Sequence, residues 1–212
     1  MTYEGLRLKV LKYVRKIPAN LRRRSLYSTK FTIISNNCWG GMIYESYNIP
    51  KQSPTVGLFF SAEDYIEFIS NLKHYLHMPL KFINTECSKN IEVLKLSKNY
   101  ESIPVAMLDD KVEIVFLHYH SKEEANDKWM RRCKRINYDR LLVKFNDQNG
   151  CTQEHLKAFL SLPYAHKVFF TCKKWPIEDS AIIKIRQPKV YKSITASHEP
   201  FGKRITTIIN QM

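Results

Sequence analysis

The chain's 212 residues are 44% hydrophobic and 12% aromatic, enough apolar material for one good-sized core, which excludes a disordered or low-complexity polypeptide. No run approaches the roughly 18 consecutive apolar residues of a membrane span, and the N-terminus lacks the unbroken apolar stretch of a secretory leader, so a cytoplasmic protein is expected. A net charge of +14 raises nucleic acid as a partner, but residues 1–30 hold nine bases against the single acid Glu4, leaving only +6 for the rest, and no recognised binding motif accompanies them.

That basic segment opens the chain. Leu6, Val10, Tyr13, Val14, Ile17 and Leu21 recur at helical spacing with bases on the remaining face, and Pro18 interrupts or bends the helix. The pattern suits either a packing helix or one lying at an anionic membrane surface. It is taken as an N-terminal arm, residues 1–30, before a single α/β domain over 31–212.

Within the domain, Phe31–Ser35 reads as a buried strand, followed by a loop over Asn36–Gly41 and a helical turn over Met42–Tyr47. Thr55–Phe60 reads as a second apolar strand. Ser61, with Asp64 three positions on, caps a helix that ends before Pro79. Leu80–Ile83, Val105–Leu108 and Val112–Tyr119 follow as strands, the last two joined by a turn at Asp109-Asp110-Lys111. Ser121 and Glu124 form a capping box for a helix to about Ile136. Leu141–Phe145, Lys167–Thr171 and Ala181–Arg186 are strands, and Thr152 caps a helix through Leu160. Strands alternating with capped helices predict a layered α/β fold, a mixed sheet flanked by helices. The five cysteines are widely spaced without a CxxC pair, which fits reduced, buried thiols rather than disulfides or a zinc site.

Ligands of open α/β sheets bind beyond the carboxyl ends of the strands, which directs attention to the loop after the first strand. There Gly40 and Gly41 permit close backbone approach, Asn36 and Asn37 offer amide donors and acceptors, and Trp39 offers a face for a sugar or base. His118, at a strand end before a helix, is a candidate general base, with Tyr119 on the opposite strand face. His118 and His120 share a face, yet no third metal ligand accompanies them. Glu124, Lys128, Arg131 and Arg132 lie in the first turns of the next helix, where the cations suit a phosphate or carboxylate and Glu124 accompanies them. Asp110, in an acidic cluster with Asp109 and Glu113, is a second catalytic candidate, although a turn favours Asp for its backbone alone. Trp129 falls on the stripe of that helix that should pack on the sheet.

The succession NNCWGGMIY at Asn36–Tyr44, SPTVGLFFSAEDYIEFISNLKHYL at Ser53–Leu76 and FLHYHSKEEANDKWMRRCKRIN at Phe116–Asn137, with LPYAHKVFFT at Leu162–Thr171, resembles the bacterial domain of unknown function 1919 family. The likeness covers about residues 30–200. It implies a cytoplasmic bacterial protein of exopolysaccharide or capsular-polysaccharide biosynthesis, working near a glycan assembly pathway, and the basic arm would keep it near lipid-linked intermediates at the inner membrane face. The expected activity is transfer of a sugar or acyl group from an activated donor, a sugar nucleotide or acyl-coenzyme A, to a glycan precursor. A non-catalytic sugar-nucleotide- or protein-binding partner in polysaccharide assembly is the alternative, and nucleic-acid binding ranks below both.

Overall fold

The computed structural model describes residues 3–212. Nine α-helices and seven strands are seen among them. They are α1 (Tyr3–Lys16), α2 (Ala19–Arg24), β1 (Thr32–Ser35), α3 (Trp39–Ser46), α4 (Ala62–Ser70), α5 (Leu72–His77), β2 (Lys81–Ile83), α6 (Ile91–Leu94), β3 (Val105–Leu108), β4 (Val112–Val115), α7 (Lys122–Cys133), β5 (Leu141–Asn146), α8 (Gln153–Ser161), β6 (His166–Thr171), β7 (Ile182–Lys184) and α9 (Lys203–Asn210). The strands divide between a four-stranded parallel sheet of order β1-β5-β6-β7 and an antiparallel meander β2-β3-β4.

A parallel sheet needs cover on both faces, and the alternation of its side chains supplies it. Ile34, Val143, Phe145 and Phe169 point to one side, against α4, α8 and the meander, with Tyr65, Phe68, Phe159 and Ile114 in the same core. Ile33, Leu142, Val168 and Phe170 point to the other, where α3 contributes Trp39, Ile43 and Tyr44 and α9 contributes Ile205 and Ile209. The chain is therefore an α/β domain, its sheets flanked by helices, as the sequence predicts. Among the described residues no helix is long and apolar enough to cross a membrane.

The expected N-caps form: Ser61 and Ser121 each accept from the backbone N–H three residues on, and Thr152 makes a reciprocal box with His155. The box expected of Ser121 and Glu124 is only half made, because the Glu124 carboxylate accepts from the His120 N–H instead. Pro18 stands at the break between α1 and α2.

Several segments depart from expectation. Thr55–Phe60 is a turn with one β-bridge, Phe59 to Val115, because Gly57 at φ +80° reverses the chain. The loop after β1 stops at Cys38, so both glycines lie inside α3. Strand β4 ends at Val115 rather than Tyr119, and the alternation expected for His118 and Tyr119 gives way to a turn in which the Tyr119 N–H donates to the Phe116 carbonyl. Strand β7 is the last strand, and helix α9, which follows it, has no counterpart among the elements expected from sequence.

Candidate functional site

Just past the carboxyl end of β1, the N-terminal half of α3, the turn at Val56-Gly57 and the side chains of His118, Tyr119, Lys128 and Arg132 line a cavity of about 490 Å³. This is within the usual size of small-molecule sites, and it lies where an open α/β sheet places them. Cys38, Gly41, Glu45, Lys51, His118 and Lys128 line it, and from the basic arm so do Leu8 and Lys12. The arm is thus a wall of the site rather than an appendage.

Its chemical centre is a pair. Cys38 occupies the N-cap of α3, and its Sγ lies 3.0 Å from Nε2 of His118. Burial, reinforced by Glu199, pushes the thiol up to about 11, while Lys144 and Lys51 pull the other way. Burial and the charge of Lys51 hold His118 below the usual 6.5. At neutral pH the resting pair is consequently a thiol and a neutral imidazole, with Sγ–H donating to Nε2. Such a pair is reactive through general-base removal of the thiol proton during attack, without a standing thiolate.

Beneath Cys38 lies a buried polar network. Lys144 interrupts the apolar strand β5, has no solvent exposure, and pairs with the equally buried Glu199. Its Nζ donates to Asn37 Oδ1 (2.9 Å) and Asn36 Oδ1 (3.3 Å). Asn36 Nδ2 donates to Asn146 Oδ1 (2.7 Å), and Asn146 Nδ2 donates to Glu199 (2.7 Å) and Gln148 (2.8 Å). Asn37 Nδ2 reaches the same two acceptors, and its Oδ1 accepts from the Trp39 N–H. Asn36 and Asn37, which lead into Cys38, are thereby held to Lys144 and Asn146 of β5. Desolvation lowers the pKa of Lys144, and Glu199 opposes that shift.

The cations at the rim differ in availability. Lys51 is paired with Glu45 (2.9 Å), and Lys128 with Glu124, which also accepts from the His120 N–H (2.7 Å). Lys128 Nζ also lies 5.3 Å from the centre of the Tyr119 ring. Arg132 is buried and donates to Tyr119 Oη (2.6 Å) and the Val56 carbonyl (3.3 Å), so it braces the wall instead of reaching for an anion.

Of the residues predicted from sequence, the cavity gathers His118, Gly41, Tyr119, Lys128 and Arg132. Asn36 and Asn37 stand behind Cys38 as its supports. Trp39 is not a stacking platform: it is 1% exposed, edge-on to Phe170, with its indole N–H on the Pro200 carbonyl. Gly40 permits close contact of α3 with β1 and Gly41 with the Val56 turn more than ligand approach, since a Cβ would stand 2.9 Å from Ser35 Oγ at the first and 2.8 Å from Val56 Cγ1 at the second. Arg131 is exposed and outside the cavity lining. Asp110 also lies apart, in the β3–β4 turn at φ +49°, ion-paired with Lys81 (2.8 Å); a short hairpin explains this aspartate without catalysis.

Sequence reasoning missed Cys38, read as an inert buried thiol, together with Lys144, Glu199 and Lys51. Lys144 carried a visible signal, a lysine in the run LLVKFN, because lysine is almost never fully buried without a partner. Nothing local announced Glu199.

Over residues 9–212 the chain matches the model of a protein family described as a domain of unknown function, DUF1919. That match begins inside the arm, twenty-one residues before the start of the likeness seen in the sequence at about residue 30. A Haemophilus influenzae protein (strain Rd) described as uncharacterized is 37% identical over 159 residues, which span 75% of this chain and 70% of that protein.

Proposed function

We propose that this chain, which belongs to the DUF1919 family, is a thiol-dependent acyltransferase that moves an acyl group from an anionic activated donor to a hydroxyl of a surface-glycan precursor. The observation that carries this reading is the Cys38–His118 pair, 3.0 Å apart, facing a cavity rimmed by Lys12, Lys51 and Lys128.

A thiol paired with a neutral imidazole suits attack on a carbonyl carbon. His118 Nε2 takes the proton of Cys38 as sulfur bonds to the acyl carbon of the donor. The donor's leaving group departs with that proton, which leaves a thioester on Cys38. An acceptor hydroxyl then attacks the thioester: the C–O bond forms, the C–S bond breaks, and the hydroxyl proton passes through His118 back to the Cys38 sulfur. Coenzyme A thioesters fit the donor role if their phosphates meet Lys12 and draw Lys51 and Lys128 from their pairs with Glu45 and Glu124. A sugar nucleotide would meet the same lysines, but a glycosyl transfer would leave the Cys38–His118 pair without a task. The glycan acceptor and the setting in polysaccharide assembly rest on the family resemblance, and the acyl chemistry rests on the pair.

The test is intact-mass analysis after incubation with a series of short acyl-coenzyme A thioesters. The expected result is a mass increase of one acyl group, mapped to Cys38, absent in Cys38→Ala and discharged by added glycan acceptor. No adduct with any thioester, combined with thermal stabilisation by a sugar nucleotide, would replace acyl transfer with glycosyl transfer or simple binding.

A further inference from the structure

Helix α1 has two faces with opposite tasks. Leu8 and Lys12 form part of the cavity wall. On the other side Leu6, Val10, Tyr13 and Ile17 fall within about 60° of one another at 3.6 residues per turn, and all four are exposed, Tyr13 by 71% and Ile17 by 86%. An amphipathic helix on a globular protein ordinarily turns its apolar stripe to the core, whereas this one turns it to solvent. Leu21 in α2 and Tyr27 beyond it extend the exposed apolar surface. The surrounding charge is one-sided. Lys9 and Lys16 are exposed and lie to one side of the stripe, Arg23 and Arg24 follow in α2, and residues 1–30 carry nine bases against one acid.

From these features we propose that the outer face of α1 docks on an anionic lipid surface, with its apolar stripe at the headgroup–acyl boundary and its flanking bases among the lipid phosphates. Exposed apolar side chains flanked by cations complement such a surface. Because the same helix walls the cavity, docking sets the Cys38 site against the headgroup layer. The acceptor is then an amphiphile, a glycan precursor on a phosphate-bearing lipid, whose sugar reaches Cys38 while its tail stays in the bilayer. The docking stands on α1 alone; the acceptor class rests on the acyl-transfer reading.

The experiment is co-sedimentation of the full-length protein with vesicles of phosphatidylcholine, alone or mixed equally with phosphatidylglycerol. Wild type, Cys38→Ala and a Val10→Asp/Ile17→Asp double variant are compared, with the fold checked by circular dichroism and thermal melting. Wild type and Cys38→Ala are expected to pellet with the anionic vesicles only, and less so in high salt. The double variant, altered only at exposed positions, should melt as wild type and bind at least tenfold more weakly. Failure of wild type to pellet, or unchanged pelleting of the double variant, overturns the docking. So does a dimer in sedimentation velocity that the double variant dissociates, since a second copy would then cover the face. If docking holds but acyl labelling of Cys38 fails in the mass assay, the membrane surface survives and the acceptor class falls with the acyl-transfer reading.

Discussion

Lys144 and Glu199 form an ion pair directly beneath the N-terminus of α3, and neither side chain has any solvent exposure. Removing one partner of a buried pair strands the other charge in a low-dielectric interior, at a cost of about 3–5 kcal/mol, while removing both together costs much less. Lys144→Met and Glu199→Leu are each expected to lower the denaturation midpoint strongly. The Lys144→Met/Glu199→Leu double variant should recover much of that loss in chemical-denaturation measurements. Additive losses would mean that the pair contributes nothing as a unit.

Cys38 and His118 predict a particular pH profile. The imidazole must be neutral to accept the thiol proton, and its pKa lies below 6.5 because of burial and Lys51. Activity should therefore be flat through neutral pH and fall as pH drops through that lowered value. It should not require ionisation of the thiol, whose own value is about 11. His118→Gln should lower the rate of Cys38 acylation by about 10²–10⁴-fold and remove the acidic limb. A wild-type rate that instead climbs steadily with pH from 7 toward 11 would show that the standing thiolate is the attacking species and His118 is not the base.

Gly41 and Val56 test whether the cavity depends on close contact between α3 and the turn facing it. A methyl group at Gly41 would sit 2.8 Å from Val56 Cγ1. Gly41→Ala should destabilise by about 1–3 kcal/mol through overpacking and lower the acylation rate, because Cys38 caps the same helix. Val56→Ala in the same chain is expected to restore both. Without that rescue, the role of Gly41 lies elsewhere than in this contact.

Asp110 provides the opposite case. It is 70% exposed and paired with Lys81 in a turn at positive φ, a conformation that asparagine also tolerates. Asp110→Asn should change stability by no more than about 0.5 kcal/mol and leave Cys38 acylation at the wild-type rate. A hundredfold fall in that rate would return Asp110 to the reaction.

Much of the fold was legible in the sequence because its signals are local. The caps at Ser61, Ser121 and Thr152 were readable, as were the apolar runs that became β1, β3, β5 and β6, and the break at Pro18. Each is decided by neighbours within one turn or one strand. Thr55–Phe60 misled because a short apolar run is buried alike in a strand and in a covered turn, and only Gly57 hinted at the reversal.

The site divides in the same way. Sequence alone marked the Asn36–Gly41 segment and His118–Arg132 as the regions to watch, since polar residues after strands and at a capped helix start are local patterns. That Cys38 meets His118 across eighty positions, that Lys144 meets Glu199, and that α1 lends one face to the cavity and another to solvent were decided only by tertiary structure. The physical reason is that a thiol is reactive or inert, and a buried lysine is paired or costly, according to groups that chain packing brings from elsewhere, which no local spacing records.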